Sequence, residues 1–231
     1  YFLLAVMVGT MASFISSTIF NVAIPAMSHH FNLGQSRAQW VTSAFMVATT
    51  VAMLTTPWLL SRYGYRNTYL GAVVVLMLGG IGGGFSTDYS LVLLARVVEG
   101  FAAGVIQPIP AIIILHAFAT NEQGRANGLF GMGVVLAPAI GPSIGGLLVD
   151  WMGWRSVFFM VVPLCIASLW LGLKYVPVSA PGGGTADRKG NSLDWLGLGI
   201  VTTGTVCLLN GLVALHGQGW QQSAFLLAVA V

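Results

Sequence analysis

The chain has 231 residues, of which 56% are hydrophobic and 6% charged, and its formal net charge is +3. This composition excludes an ordinary soluble domain, in which about a quarter of the residues are charged. The weak positive balance gives no reason to expect nucleic acid as a partner, and we expect an integral membrane protein that contacts the lipid bilayer.

Seven apolar runs are long enough to cross a hydrocarbon layer of about 30 Å as helices. They lie near 2–27, 38–60, 68–86, 90–116, 126–149, 155–176 and 194–215. An eighth run begins near 221 and is cut off at Val231, and the chain begins at Tyr1. We therefore expect the sequence to be a fragment of a longer membrane protein.

The basic residues predict the orientation of these spans. The even-numbered connections or their edges hold most of them: Arg62, Arg66, Arg125, Lys174, Arg188 and Lys189. The odd-numbered connections hold only Arg37 and Arg155. Because basic loops stay in the cytoplasm, the even connections and the amino terminus are expected on that side.

A long polar connection follows the sixth span. Residues 177–193 lose hydrophobicity and gain proline, glycine and charge, which is typical of a linker. We predict a six-helix bundle over 1–176, a cytoplasmic linker over 177–193, and a seventh span with a truncated eighth over 194–231. Six-helix units divided by such a linker are an architecture of secondary transporters.

Residues that catalysis or metal binding would need are sparse. Cys165 and Cys207 fall inside predicted spans, so we expect no disulfide. His29 and His30 have no cysteine or acidic residue nearby, so no metal site is expected. No nucleophile, base and orienting acid can be assembled within the spans, and no phosphate-binding loop is present, so neither an enzyme nor an ATP-driven pump is expected.

The fourth run contains Arg96 and Glu99, an ionisable pair deep inside apolar sequence. Three residues apart, they share one helix face. A charge inside a membrane is costly and marks a functional site by default. The alternative is a structural ion pair that holds the fourth helix in place.

The fifth run carries a ridge of small residues at every fourth position: Gly133, Ala137, Gly141 and Gly145. In a helix these residues form one face on which another backbone can pack closely. Pro138 and Pro142 repeat with the same period and bend the helix. A plain packing face of two membrane helices is the alternative to a specialised function.

The same run resembles the fifth-helix motif of the drug:proton antiporters with fourteen spans, within the major facilitator superfamily. The motif positions are Gly128, Ala137, Gly141, Pro142, Gly145 and Gly146, with Ala137 in place of a glycine. The resemblance implies an all-α membrane protein whose first six helices form the N-terminal bundle of a fourteen-span transporter. It also implies that this close helix contact belongs to an exchanger.

Two further stretches carry the resemblance and depart from it at informative positions. The fourth span is similar to the family's Arg-x-x-Gln-Gly motif, with Glu99 in place of glutamine. The first span is similar to the subfamily's Asp-x-Thr-Ile-x-Asn-Val-Ala-Leu-Pro signature, with Ser16 in place of the aspartate. Glu99 is therefore the acidic candidate within the first six spans.

The connection after the second span resembles the family's loop motif, Gly-x-Leu-Ala-Asp-Arg-x-Gly-Arg-Lys. Arg62 and Gly64 match, Arg66 keeps the final positive charge, and Ser61 replaces the aspartate. The resemblance implies a cytoplasmic gate loop at Ser61, Arg62, Gly64 and Arg66. Ordinary positive-inside anchoring is the alternative for the two arginines, and Gly64 supplies a tight turn in either case.

The resemblance implies a proton-driven exporter of lipophilic or cationic drugs in the cell inner membrane. It would need no cofactor beyond the proton gradient, and a periplasmic adaptor is a candidate partner. Glu99 would carry the proton beside Arg96, and a substrate path could include Ser16, Asn21, Phe45 and Gln107, for which bridging between helices is the alternative. The alternative functions are those of a uniporter or metabolite carrier without proton coupling, and of a structural partner for other helices.

Overall fold

The computed structural model describes residues 2–176, 196–205 and 207, and the regular structure in these ranges is α-helical. The helices of the first range are α1 (Phe2–His30), α2 (Gln35–Gly84), α3 (Tyr89–Ile106), α4 (Ile109–Ala117), α5 (Thr120–Met152) and α6 (Ser156–Tyr175). A further helix, α7, covers Leu196–Thr205. The predicted all-α membrane architecture is confirmed.

Helix α2 holds two of the predicted spans. Its 50 residues would extend about 75 Å if straight, more than twice the thickness of the hydrocarbon layer. Gly64 interrupts it with φ 78° and ψ 165°, a conformation that glycine adopts without strain. The Thr68 hydroxyl donates to the Leu59 carbonyl at 3.0 Å across this point, so the chain turns back between the halves 35–63 and 65–84.

The two halves of α2 flank α3. A Cβ built at Gly79, in the second half, would lie 2.7 Å from Glu99 Cγ. A Cβ built at Gly100, the next residue of α3, would lie 3.0 Å from Phe45 Cα, in the first half. Adjacent residues of α3 therefore contact opposite halves of α2, as two neighbouring spans require.

The fourth predicted span, near 90–116, corresponds to one long apolar segment, Tyr89–Ala117, whose helix is interrupted once. Helix α3 ends at Ile106, and α4 begins at Ile109 after Gln107 and Pro108. Proline has no N–H, so Pro108 cannot donate to the carbonyl four residues earlier, at Gly104. The Thr56 hydroxyl on α2 lies 3.0 Å from the Ala52 carbonyl oxygen and 3.4 Å from the Gly104 carbonyl oxygen, and it shares its single hydrogen between them.

Five helical segments are long and apolar enough to cross a membrane, and the segment Arg37–Gly84 contains the turn at Gly64. Residues 2–176 thus provide the six crossings predicted for the first bundle. The chain divides into two compact units, Tyr1–Gly190 and Asn191–Val231. The predicted linker and the eighth span lie outside the described residues, so the proposed domain boundaries stay a prediction.

Candidate functional site

The site is built around the charged pair in α3. Arg96 Nη1 lies 2.8 Å from Glu99 Oε2, and each side chain is only 1% exposed. The spacing of three residues along one helix turns both side chains to the same face. An ion pair so far from water survives because each charge cancels the other.

Helix α1 approaches the same pair through Ser16. Arg96 Nη1 donates to the Ser16 carbonyl oxygen at 3.2 Å and to the Ser16 hydroxyl oxygen at 3.3 Å. A single buried nitrogen of Arg96 therefore joins a residue of α1 to a residue of α3.

Two aromatic rings complete the surroundings of Arg96. Its guanidinium carbon lies 4.7 Å from the ring centre of Phe20 on α1 and 4.1 Å from the ring centre of Phe45 on α2. Both rings are buried. The negative faces of aromatic rings attract a cation, so they offset part of the cost of burying Arg96.

Three polar atoms of the pair are buried without a hydrogen-bond partner among the described residues. They are Arg96 Nε, Arg96 Nη2 and Glu99 Oε1. Unpaired polar atoms in a buried site are rare, because each loses its water without compensation. The pair thus holds free donors and a free acceptor for a proton, water or ligand.

Glycines on the second half of α2 make room for Glu99. A Cβ built at Gly80 would lie 3.5 Å from Glu99 Oε1 and 3.0 Å from the Phe158 carbonyl oxygen, and one built at Gly79 would lie 2.7 Å from Glu99 Cγ. Sequence reasoning did not identify Gly79 or Gly80 as parts of the site. The adjacent glycines within an apolar run were the available signal, since they permit close approach.

The structure places two of the four residues predicted for a substrate path at the charged pair and two away from it. Ser16 and Phe45 contact Arg96. Asn21 is exposed, and its side-chain oxygen accepts a hydrogen bond from Thr42 at 3.4 Å. Gln107 is half-buried at the break between α3 and α4. These last two residues are not brought to the charged pair.

The small-residue ridge of α5 lies against α1. A Cβ built at Gly141 would lie 2.6 Å from Thr18 Oγ1, and one at Gly145 would lie 2.5 Å from Ile19 Cγ1. Gly133 and Ala137 are buried on the same face. The ridge therefore meets the helix that carries Ser16.

Three motif positions on α5 differ from this pattern. Gly128 is exposed, and a Cβ built there would meet nothing within 4 Å in the described part of the chain, so its expected role in packing is not seen. Pro142 is also exposed. Gly146 is half-buried at the edge, where a Cβ would lie 3.8 Å from Val22 Cγ1. Since helix faces turn by about 100° per residue, the positions in register with Gly141 make the closest contacts with α1.

The connection within α2 is tied to α6. Arg66 Nη2 donates to the Leu173 carbonyl oxygen at 2.8 Å, near the carboxyl end of α6. The Ser61 hydroxyl donates to the Trp58 carbonyl oxygen at 2.8 Å, while Arg62 is exposed. The arginines of this connection therefore have different surroundings, one bonded to a helix end and one at the surface.

Comparison with known proteins gives a family match over nearly the whole chain. The family model described as Major Facilitator Superfamily matches residues 6–231. The Tetracenomycin C resistance and export protein of Streptomyces glaucescens is 31% identical, over 94% of this chain and 40% of its own length. Multidrug export protein EmrB of Escherichia coli is 29% identical, over 74% of this chain and 33% of its own.

A third relative, the Riboflavin transporter RibZ of Clostridioides difficile, is 28% identical over 90% of this chain and 44% of its own length. The chain thus spans between a third and a half of these curated relatives. Among solved structures, the peptide transporter POT in complex with sulfate has a TM-score of 0.72 at 14% identity, over 94% of this chain and 46% of that chain. The inward-open xylose transporter XylE from E. coli has a TM-score of 0.69 at 13% identity.

Proposed function

Because the chain belongs to the major facilitator superfamily, we propose that it forms the amino-terminal bundle of a proton-coupled exporter. The substrates would be small lipophilic or cationic compounds, carried by alternating access between two bundles. Relatives described as export proteins support the direction of transport. The observation that carries the proposal is the buried pair of Arg96 and Glu99, with its unpartnered atoms.

Glu99 is the proposed proton carrier. When it is ionised, its carboxylate cancels the charge of Arg96 at 2.8 Å. A proton that arrives at the free Oε1 makes the side chain neutral and weakens this ion pair. Arg96 then keeps the Ser16 carbonyl and the two aromatic rings as its partners. Opening of the site to water on alternate sides would allow uptake of the proton on one side and its release on the other.

The contact between α5 and α1 is the proposed seal. Gly141 and Gly145 bring the two backbones close enough to exclude water between them. A proton pathway must be closed on one side while it is open on the other. In the same proposal, Arg62, Gly64 and Arg66 belong to a cytoplasmic gate.

Efflux of a fluorescent lipophilic cation from cells tests the proposal. The full-length protein, its Glu99→Gln variant and a matched Glu122→Gln control are compared with and without a proton uncoupler. Glu122 is exposed in the first turn of α5, so its loss should leave efflux unchanged. We expect uncoupler-sensitive efflux in the wild type and control, and its loss in Glu99→Gln. Full coupling in Glu99→Gln would contradict the assignment of Glu99.

The alternative is a uniporter or metabolite carrier without proton coupling. Ser16 has no carboxyl group, and the ion pair of Arg96 and Glu99 could serve packing alone. The riboflavin transporter among the relatives is in keeping with a metabolite as substrate. Movement of substrate that is insensitive to uncoupler and equal in wild type and Glu99→Gln would favour this alternative.

The proposed location is the inner membrane, with the amino terminus in the cytoplasm. Single cysteines at Arg37 and Arg62 in a full-length background without Cys165 and Cys207 would test this orientation. A membrane-impermeant thiol reagent should label position 37 in intact cells and position 62 only after permeabilisation. A periplasmic adaptor stays a predicted partner, which copurification from crosslinked cells would test.

A further inference from the structure

Positions 16 and 99 meet at a single atom, Arg96 Nη1. This nitrogen donates to Glu99 Oε2 at 2.8 Å and to the Ser16 hydroxyl oxygen at 3.3 Å. All three residues are 1% exposed. Both positions depart from the resembled motifs, and they belong to one buried cluster although they lie on different helices.

The departures have opposite effects on the charge of that cluster. Serine in place of aspartate at position 16 removes one negative charge, and glutamate in place of glutamine at position 99 adds one. We propose that they are a single compensated exchange, in which Glu99 supplies from α3 the carboxylate that the first-helix signature places at position 16. Ser16 is then a positioning residue that orients Arg96. A test of this inference by uncoupler-sensitive efflux rests on the proposed function, whereas a test by Tm does not.

Burial explains why the cluster should hold one carboxylate. With none, Arg96 would be a buried cation paired only with aromatic faces and a carbonyl oxygen. With two, one negative charge would lack a partner. In either case the closed site buries an uncompensated charge away from water, which strongly destabilises a folded protein, whereas the proposed protonation of Glu99 takes place when the site is open to water. One carboxylate, on either helix, leaves the cluster neutral.

The geometry can accept the carboxylate from α1. The Ser16 hydroxyl oxygen on α1 already lies 3.3 Å from Arg96 Nη1. Arg96 Nε and Nη2 are donors without a partner in the described residues. The guanidinium can therefore donate hydrogen bonds to a second group that approaches it from another side. A glutamine at position 99 would keep the shape of Glu99 and could donate its amide hydrogens to a carboxylate at position 16.

The experiment is a double-mutant cycle in the full-length protein. It compares wild type, Ser16→Asp, Glu99→Gln and the exchange Ser16→Asp/Glu99→Gln. The matched control is Ser13→Asp/Glu99→Gln, because Ser13 is buried on the same helix and donates to the Thr10 carbonyl. This control has the same charges as the exchange, but its carboxylate starts about 4.5 Å away along α1. Tm in detergent and uncoupler-sensitive efflux are measured for each protein.

We expect each single variant to lower Tm by on the order of 10 °C, since each leaves a buried charge unpaired. The exchange should recover most of this loss and restore uncoupler-sensitive efflux, and the Ser13 control should do neither. Where a single variant yields no folded protein, recovery of folded protein by the exchange is the same result.

An exchange variant no more stable than Glu99→Gln would overturn the inference, as would equal recovery in the Ser13 control. A wild type whose efflux ignores the uncoupler would contradict the proposed function instead. In that case the Tm values alone decide whether the carboxylate can occupy either position.

Discussion

The hydroxyl oxygens of Tyr69 and Ser168 lie 2.5 Å apart, and both residues are fully buried where the second half of α2 meets α6. The Tyr69 hydroxyl also lies 3.0 Å from the Ala5 carbonyl oxygen on α1. A tyrosine hydroxyl has one hydrogen, so Tyr69 donates to Ala5 and accepts from Ser168. Gly9 leaves the necessary space, because a Cβ there would lie 2.6 Å from Ser168 Oγ.

Replacement of Tyr69 by phenylalanine should lower the free energy of unfolding by about 1 kcal/mol. It removes the donor to Ala5 and the acceptor of Ser168, and interhelical hydrogen bonds in membranes are worth roughly this amount. Reversible unfolding in mixed detergent micelles measures the change. The control is Tyr63→Phe, since Tyr63 is 55% exposed. Equal stability of the two variants would mean that this junction contributes nothing to the fold.

Addition of a methyl group at Gly141 should destabilise the bundle by about 1–3 kcal/mol, the usual cost of overpacking. The new Cβ would lie 2.6 Å from Thr18 Oγ1, so either the Thr18 side chain must rotate or α5 and α1 must separate. The matched control is Gly128→Ala on the same helix, where a Cβ would meet nothing within 4 Å in the described ranges. Tm of both variants and disulfide crosslinking between α1 and α5 provide the test. A drop in Tm for Gly128→Ala alone would refute the placement of the ridge.

Substitution of Thr56 by valine should lower stability by about 1 kcal/mol while preserving side-chain shape. The Gly104 carbonyl would lose its donor at 3.4 Å, and Pro108 cannot replace it. Thr50→Val is the control, because the Thr50 hydroxyl bonds within its own helix, to the Met46 carbonyl oxygen. The unfolding free energies of both variants are compared. If Thr50→Val lowers the free energy of unfolding as much as Thr56→Val does, the contact between Thr56 and Gly104 does not contribute to stability.

Replacement of Arg66 by glutamine should loosen the carboxyl end of α6. Arg66 Nη2 bonds to the Leu173 carbonyl at 2.8 Å, and a cation at a helix carboxyl end contributes about 0.3–1 kcal/mol. Hydrogen exchange of the amides at 172–176 should therefore become faster. Arg62→Gln, at an exposed arginine of the same connection, should leave these amides unchanged. Unchanged exchange in Arg66→Gln would show that the bond is dispensable.

Local sequence determined the membrane character and the number of crossings over 2–176. Hydropathy depends on each segment alone, so long apolar runs predict spans before any contact is known. The turn at Gly64 was equally accessible, because a positive φ between two apolar runs favours glycine. The regular spacing of small residues on α5 also predicted a face for close packing.

The break at Gln107 and Pro108 shows where local reasoning was insufficient. Hydropathy is high on both sides of it, so the sequence predicted a span over 90–116 without locating the break. The lost hydrogen bond at Gly104 is tolerated because Thr56 of another helix provides a donor. That compensation exists only after α2 and α3 have packed.

The partners of each helix were decided by the tertiary structure. Lipid chains and apolar side chains are similarly hydrophobic, so hydropathy cannot specify which spans become neighbours; shape and polar contacts do so. The sequence by itself determined that Arg96 and Glu99 share a helix face. Only the folded bundle brings Ser16 to Arg96 Nη1, and only close packing at Gly79 and Gly80 encloses Glu99.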